Sequence, residues 1–421
     1  MHRFRLTIWL FDMFRKKFKF LILLIATMIS LRVMMTYLDL YQPRIVPCFQ
    51  VTTQNFVSTT TDSTLRVSTI SGHKFEKRKP DSCNKHNHVA FLKVHKAGST
   101  TVMDIFLRYA IQNKLNIVLP KRSTGFGFNY LGYEETVLRE NLAPLPKNQT
   151  YDILCNHVIY NRTAFRAILP NDTMYIAILR EPIRHFISGG IYYYFFDELC
   201  KIYNTTNSSK AISTFLNNPS ALDMATTYFH NKMSFDLGLP TAQFENIPYI
   251  NNYIQELNKD FALVMILEYF DESLVLMKRY LCWDFQDIIY LPLNSIGEVK
   301  YPMLTFEDEK NLRKFNFADF QLYEYFQNIF WQKVQAEGPL FFQEVKHFKL
   351  IQQKVKHYCN TTLQSDKSYY PLMVPRSTWN NEFFITQSDC KFMSQDELLL
   401  MHDLIEEAWG RYNQSLKTKR R

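Results

Sequence analysis

The sequence predicts an α/β domain in which a central parallel sheet is flanked by helices and followed by a helical C-terminal part. Apolar, β-branched runs such as Val89–Val94 and Met174–Leu179 are typical of strands that are buried on both faces. Segments with helical periodicity alternate with these runs, which is the pattern of a sheet covered by helices. After residue 282 the patterns are mostly helical and dense in aromatic residues.

The positive charge of the chain is concentrated near its N-terminus. The formal net charge is +9, but residues 1–44 carry eight Lys/Arg against two acidic residues, so the charge is weak evidence for nucleic acid. Phe20–Leu38 is an apolar run, interrupted by Arg32, of about the length that spans a bilayer. We therefore expect residues 1–19 to be a cytoplasmic tail and residues 20–38 a transmembrane anchor, with the rest lumenal. A cleaved signal peptide is the alternative, but no convincing cleavage site follows the run.

Residues 39–82 are expected to form a lumenal stem, and residues 83–421 the folded domain. Val51–Ser71 is rich in Thr and Ser and too poor in large apolar residues to bury a core. Seven glycosylation sequons favour the secretory pathway, and they are at Asn148, Asn161, Asn171, Asn204, Asn207, Asn360 and Asn413. The seven cysteines show no metal-like spacing. We expect Cys359 and Cys390 to pair, while Cys155 in its apolar run is equally typical of a small core residue.

The elements of the folded domain follow from apolar runs and helical periodicity. The predicted strands are Val89–Val94, Leu115–Leu119, Asp152–Asn156, Met174–Leu179 and Ala262–Leu267. The predicted helices are Val102–Tyr109, Arg162–Leu169, Ile183–Phe196, Phe270–Cys282, Glu307–Lys333 and Gly338–Tyr358. Pro182, directly before the third helix, is a typical first helical residue.

The turn after the first strand has the composition of an anion cradle. It reads His95-Lys96-Ala97-Gly98-Ser99-Thr100-Thr101 and leads into a helix, whose first N–H groups and dipole favour an anion. Lys96 adds a positive charge and three hydroxyls add donors. The pattern is not a Walker A loop. The alternative interpretation is an ordinary turn with a Ser or Thr N-cap.

Three polar clusters follow predicted strands: His95–Thr101, Asn156-His157 and Arg180–Gly189. Ligands of parallel sheets bind at the carboxyl ends of the strands, so the clusters predict one site. Lys96 is suited to neutralise a transferring group, although a solvated lysine is the commoner case.

Arg180 with Ser188 is suited to hold a second phosphate, unless Arg180 only pairs with Glu181. His157, and after it His95, are the candidate general bases. His230 and Glu268 are weaker candidates, and no His/Cys cluster indicates a metal.

Several stretches resemble the galactose 3-O-sulfotransferase family, which includes galactosylceramide sulfotransferase-like Golgi enzymes. FLKVHKAGSTTVMDIFLR resembles its 5′-phosphosulfate loop, and DILCNHVIYN and MYIAILREPIRHFISGGIYYYF resemble its second and third signatures. Two later blocks, NKMSFDLGLP and LNKDFALVMILEYFDESLVLMKRYLCWDFQDIIYLPLN, are also similar. The resemblance covers roughly Val89–Glu337. It implies a P-loop-like sulfotransferase fold and a type II Golgi membrane protein. The implied reaction moves sulfate from 3′-phosphoadenosine 5′-phosphosulfate (PAPS) to the 3-hydroxyl of galactose on glycolipids or glycoprotein glycans.

The resemblance also implies roles for individual residues. The donor-binding residues would be Lys93, Lys96, Ala97, Gly98, Ser99, Thr100 and Thr101 for the phosphosulfate, Arg180 and Ser188 for the 3′-phosphate, and Lys300 for the nucleotide. His157 matches in position the base of the related heparan sulfate 2-O-sulfotransferases. The chain departs from the family at Ala97-Gly98, since the family loop usually reads Lys-Thr-Ala-Ser-Ser-Thr. It also lacks the basic pair that often follows Leu293.

The implied partners are a galactose-terminated acceptor and a membrane, with no nucleic acid and no metal, and a homodimer is a candidate assembly. Two other functions stay open: sulfation of another carbohydrate hydroxyl, as in 2-O-sulfotransferases, and an inactive lumenal glycan-binding relative. A kinase is disfavoured because no Asp/Glu set for Mg²⁺ accompanies the loop. Ile191–Phe196 and Tyr249–Tyr253 offer aromatic faces on which a sugar could stack.

Overall fold

The computed structural model describes residues 83–121, 130–132, 134–221, 229–293, 302–365 and 367–418. The interpretation of residues 1–19, 20–38 and 39–82 as tail, anchor and stem lies outside these residues, as does Lys300. Of the helices within the described ranges, none has the length and apolar character needed to cross a bilayer.

Four parallel strands form the central sheet, in the order β2-β1-β3-β4. Their bounds are Val89–Leu92 (β1), Ile153–Leu154 (β2), Met174–Leu179 (β3) and Phe261–Ile266 (β4). Phe91 of β1 pairs with Ile176 of β3, and Ile178 of β3 pairs with Met265 of β4. The strands are almost wholly buried, which explains why they read as continuous apolar runs. The predicted α/β architecture is confirmed.

Helices cover the sheet and make up most of the C-terminal part. In chain order they are Ser99–Gln112 (α1), Arg162–Ile168 (α2), Pro182–Tyr192 (α3), Phe195–Ile202 (α4), Ser208–Asn217 (α5), Lys232–Asp236 (α6), Ile247–Asp260 (α7), Phe270–Leu281 (α8), Phe285–Ile288 (α9), Phe306–Phe315 (α10), Phe317–Ala336 (α11), Leu340–Leu363 (α12), Gln387–Met393 (α13) and Glu397–Thr418 (α14). A hairpin of Leu372–Val374 (β5) and Phe383–Ile385 (β6) precedes α13.

Three of the predicted elements were wrong in type or ran across a helix boundary. Leu115–Leu119 is not a strand, because only Ile117 forms a bridge, to Ile153 at the edge of the sheet. The helix predicted over Ile183–Phe196 ends at Tyr192, since Tyr194 takes a left-handed conformation with φ 56 and α4 begins after it. The segment Glu307–Lys333 divides at Asn316 into α10 and α11.

Two disulfides join distant parts of the described domain. Cys359 in α12 bonds to Cys390 in α13, as the sequence predicted. Cys83 bonds to Cys282 at the end of α8, so the first described residue is tied to the sheet-covering helix. Cys155 is a buried free thiol whose pKa burial raises to about 12. Its interpretation as a core residue is therefore confirmed.

Candidate active site

The carboxyl ends of the strands deliver the predicted polar clusters to one cleft of about 430 Å³. The loop after β1, the turn after β2 and the residue after β3 all reach it, because parallel strands end at the same edge. The predicted residues that line the cleft are His95, Lys96, Gly98, Ser99, Thr100, Thr101, His157, Arg180 and Ser188. The sequence alone did not predict the contributions of Tyr130, Leu267, Phe270, Tyr290, Pro292 and Leu293.

The loop that begins α1 is shaped by two left-handed residues. Lys96 has φ 54 and Gly98 has φ 70. Gly98 is the N-cap of α1, and in the described structure no side chain caps this end of the helix. Ser99 instead donates its hydroxyl to the carbonyl of Val94 over 2.6 Å. The Ser/Thr N-cap interpretation was therefore wrong, and the first-turn amides of α1 are suited to an anionic ligand.

Two features of this chain favour glycine at position 98. Its positive φ disfavours residues with a side chain, and a Cβ there would lie 2.6 Å from Cδ1 of Leu267. Leu267 directly follows β4 and lines the same cleft. In this chain, the close packing of the loop on the end of β4 therefore favours glycine, which departs from the usual family loop.

Two cations meet beside the loop. Burial, followed by the nearby charge of Arg180, lowers the pKa of Lys96 to about 8. The Lys96 ammonium lies 3.4 Å from the centre of the Tyr192 ring. Arg180 donates from Nη1 to the carbonyl oxygen of Lys96 over 3.0 Å, which joins the end of β3 to the loop. This concentration of positive charge favours a ligand with several negative charges.

His157 is held as a neutral imidazole at the cleft. Its Nδ1 lies 2.9 Å from the carbonyl oxygen of Lys93. A carbonyl only accepts, so Nδ1 carries the proton and Nε2 carries the lone pair. Burial lowers the pKa of His157 well below its ordinary value, and electrostatic interactions with His95, Lys93 and Lys232 add to this. A neutral ring with a lone pair on Nε2 can accept a proton at physiological pH.

His95 stacks on His157, with ring centres 3.9 Å apart and an angle of 19° between the rings. Tyr130 contacts His157 edge-on at 5.0 Å. The carboxylate of Asp236, at the end of α6, is 2.8 Å from Nδ1 of His95. Sequence analysis assigned no role to Asp236, which is separated from His95 by 141 positions. The sequence feature that could have indicated a role for Asp236 is the NKMSFDLGLP block, which contains it and resembles the family.

Two of the predicted donor-binding residues do not line the cleft. Lys93 is 2% exposed, and its ammonium pairs with the carboxylate of Glu397 at the start of α14. The buried amine has a partner inside the protein, and the backbone carbonyl of Lys93 contacts the site through His157. These contacts do not support its assignment to the donor, which stays a prediction. The side chain of Ala97 is fully buried, so its methyl group is a core contact.

The weaker candidates have structural partners elsewhere. His230 stacks on Phe315 with ring centres 4.6 Å apart. Glu268 accepts hydrogen bonds from the backbone N–H of Glu181 and the hydroxyl of Tyr323, each over 3.0 Å. Of the aromatic segments, Tyr192 and Tyr193 reach the cleft. Within the described ranges, no group of three or more His, Cys, Asp or Glu is arranged to hold a metal ion.

Fold and site together define an α/β protein with an anion-binding loop and a histidine pair at the carboxyl edge of its sheet. The sequence model of the galactose-3-O-sulfotransferase family matches residues 7–368. The chain belongs to that family.

Three relatives show the degree of similarity. Human galactose-3-O-sulfotransferase 2 is 34% identical over 260 residues, covering 60% of this chain and 62% of the relative. Human galactosylceramide sulfotransferase is 29% identical over 260 residues, covering 61% and 60%. Mouse galactose-3-O-sulfotransferase 3 is 31% identical over 284 residues, covering 65% and 64%. The similarity therefore spans a little less than two thirds of the length of each of these relatives.

Proposed function

We propose that this protein is a galactose 3-O-sulfotransferase that transfers sulfate from PAPS to a galactose-terminated glycolipid or glycan. The observation that carries the proposal is the meeting of an uncapped helix N-terminus, two cations and a neutral histidine in one cleft. Membership of the family, and the names of the relatives, supply the substrate class.

The donor has two anionic ends that match two parts of the cleft. The first-turn amides of α1, with Lys96, Ser99, Thr100 and Thr101, would hold the 5′-phosphosulfate. Arg180 and Ser188 would hold the 3′-phosphate. Thr101 also accepts a hydrogen bond from the backbone N–H of Leu293 over 3.2 Å, so the loop is joined to the segment that leads toward Lys300.

The chemistry requires one proton acceptor and one stabilised leaving group. The galactose hydroxyl oxygen forms a bond to sulfur while the bond from sulfur to the 5′-phosphate oxygen breaks. Nε2 of His157 takes the hydroxyl proton, and the electron pair of the broken bond stays on the phosphate. Lys96 and the amides of α1 stabilise the added negative charge there. His95, stacked on His157, is the second member of this acid–base pair.

The acceptor would approach beside exposed aromatic side chains. Tyr192 is 47% exposed and lines the cleft with Tyr193 and Tyr130. Aromatic faces of this kind are suited to the apolar face of a sugar. Sulfation of another carbohydrate hydroxyl is the alternative activity. An inactive glycan-binding role is disfavoured, because such a protein would have no need of Lys96, His157, Arg180 and Ser188 together.

We also propose a Golgi membrane location, with residues 20–38 as a single anchor and the folded domain in the lumen. All seven sequon asparagines are exposed, and the two disulfides fit an oxidising compartment. Asn161 and Asn207 also cap α2 and α5 through Oδ1, and a glycan would attach to Nδ2 of the same side chains. Removal of N-glycans should increase gel mobility, and intact vesicles should protect the domain from protease. Cleavage without permeabilisation would overturn this location.

Sulfate transfer tests the proposed activity directly. The purified full chain is incubated with PAPS carrying labelled sulfate and with β-galactosides whose 3-hydroxyl is free or methylated. The expected result is transfer to the free sugar and none to the methylated one. Transfer to both would keep a sulfotransferase and reject the 3-hydroxyl. Absence of both transfer and donor binding would favour the inactive relative.

A further inference from the structure

The carboxylate of Asp236 holds His95 at two points. Oδ2 accepts hydrogen bonds from the backbone N–H and from ring Nδ1 of His95, each over 2.8 Å. Because an ionised carboxylate only accepts, Nδ1 of His95 carries a proton and Nε2 has the lone pair when the ring is neutral. Asp236 therefore determines both the orientation and the tautomer of a ring that lines the cleft.

Asp236 stays ionised although its side chain is only 3% exposed. Lys232, one helical turn earlier, places Nζ 3.0 Å from Oδ1. Burial acts to raise the pKa of Asp236, but its interactions with His95 and Lys232 outweigh burial and hold that pKa well below its usual range. A buried ion pair often stabilises a fold no more than packed apolar residues do. Fold stability alone therefore does not explain this carboxylate beside the cleft.

Helix α6, which carries Asp236, is fixed by buried polar contacts of its own. Asp319 accepts hydrogen bonds from the backbone N–H groups of Ser234, over 2.7 Å, and Met233, over 3.1 Å. At the other end, the carbonyl of Asp236 accepts from the N–H of Tyr160 over 3.0 Å, three residues after His157. The helix is thus tied both to α11 and to the segment that holds His157, which leaves the carboxylate little freedom to move.

The backbone of His95 is also held by a neighbouring side chain. His185 donates from Nε2 to the carbonyl of His95 over 2.8 Å, and burial lowers the pKa of His185 to about 4, so it is neutral. The charged groups near the stacked rings are the cations Lys93, Lys232 and Arg180 and the anion Asp236. A proton taken up by the imidazole ring of His95 or His157 therefore adds positive charge close to these cations.

We propose that Asp236 is a positioning residue of the site: it orients His95 against His157, and its negative charge offsets the proton that the histidine pair takes up. This inference rests on the proposed sulfotransferase function. It gives a role to the NKMSFDLGLP block, which the resemblance alone left without one.

The test removes the charge and keeps the hydrogen bonds. In Asp236→Asn/Lys232→Met, the amide oxygen can still accept from both groups of His95, and no buried ammonium is left unpaired. The matched control is Asp104→Asn/Arg108→Met, which replaces the other buried i,i+4 pair, with side chains 6% exposed, in α1. Both full-length variants are compared with wild type in sulfate transfer, binding of 3′-phosphoadenosine 5′-phosphate, and proton NMR.

We expect kcat of the Asp236 double variant to fall by about 100-fold or more, with KM for PAPS and nucleotide affinity within about three-fold of wild type. The control should keep wild-type kcat. Wild type should show a low-field imidazole N–H resonance that moves upfield in the Asp236 double variant, because a charge-assisted hydrogen bond becomes a neutral one.

Two results overturn the inference alone: wild-type kcat in the Asp236 double variant, or no low-field resonance in wild type. The spectrum decides even if the double variant fails to fold. A wild-type chain that shows the resonance but transfers no sulfate overturns the proposed function, and the catalytic role of Asp236 with it.

Discussion

At the scale of single residues, the ammonium of Lys96 and the imidazole of His157 have opposite tasks in the proposed reaction. Lys96 must be charged to hold an anion, whereas His157 must be neutral to accept a proton. Burial works in the same chemical direction on both, since it disfavours the charged form. It lowers the pKa of Lys96 to about 8, which leaves the amine charged at neutral pH, and it keeps His157 neutral.

The affinity for the donor nucleotide should therefore fall as pH rises above about 8. Below that pH Lys96 is protonated before binding, and above it binding must take up a proton, which weakens affinity by up to about ten-fold per pH unit. Calorimetric titration of 3′-phosphoadenosine 5′-phosphate between about pH 6.5 and 9.5 measures this. Lys96→Met should bind weakly with no such decline, while Lys314→Met, at an exposed position in α10, should match wild type. A decline of unchanged steepness in Lys96→Met would contradict the assignment.

Replacement of His157 by asparagine distinguishes the roles of its two ring nitrogens. In His157→Asn, the new side-chain amide can keep the hydrogen bond to the Lys93 carbonyl, but nothing replaces Nε2. We expect kcat to fall by about 10² to 10⁴-fold while nucleotide affinity stays within about three-fold. Steady-state kinetics and calorimetry on the same preparation give both values. Turnover near the wild-type rate would exclude His157 as the base.

At the scale of elements, the junction between β1 and α1 depends on one backbone conformation. Gly98 caps the helix in the left-handed region, and Lys96 two residues earlier is also left-handed. Successive turns of this kind direct backbone N–H groups into a concave surface that binds anions. The strain at Lys96, a residue with a side chain, is typical of functional loops.

Gly98→Ala should therefore weaken both stability and donor binding. We expect a loss of about 1 to 3 kcal/mol in the free energy of unfolding, from the positive φ and the 2.6 Å contact with Leu267. Urea unfolding measures the loss. Adding Leu267→Ala should relieve the contact but not the backbone strain, so nucleotide affinity should stay low. Gly410→Ala in α14, where a Cβ meets no atom within 4 Å, is the control and should slightly stabilise the helix. A Gly98→Ala chain as stable as wild type would refute this preference for glycine.

At the scale of the whole described domain, the C-terminal helix is tied to the sheet beneath the site. Lys93 follows β1 and pairs with Glu397 at the start of α14, 304 positions later. The Lys93 side chain is 1% exposed, so its charge depends on this partner. The carbonyl of the same residue orients His157. The position of α14 and the geometry of the site are therefore linked through Lys93.

Glu397→Gln should destabilise the domain by about 3 to 5 kcal/mol, because it leaves a buried ammonium without its counter-charge. Lys93→Met/Glu397→Leu should recover most of that loss and bind nucleotide within about three-fold of wild type. Chemical unfolding and calorimetry measure the two effects. A large loss of nucleotide affinity in this folded double variant would instead restore Lys93 as a donor contact.

From the sequence we could predict the alternation of strands and helices, the loop after β1 and the polar residues at the strand ends. These follow from local pattern: apolar runs, helical spacing, and the rule that parallel strands end at one edge. For this reason Lys96, His157, Arg180 and Ser188 could be placed together from the sequence alone.

The partner of each buried charge became known only from the folded structure. Lys93 and Lys96 stand three positions apart in one polar segment, yet one pairs with Glu397 in the interior and the other lines the cleft. Asp236 reaches His95 across 141 positions. The energy of a buried charge depends on the groups that chain folding brings within a few ångströms of it. A local sequence pattern does not specify which distant residues these are.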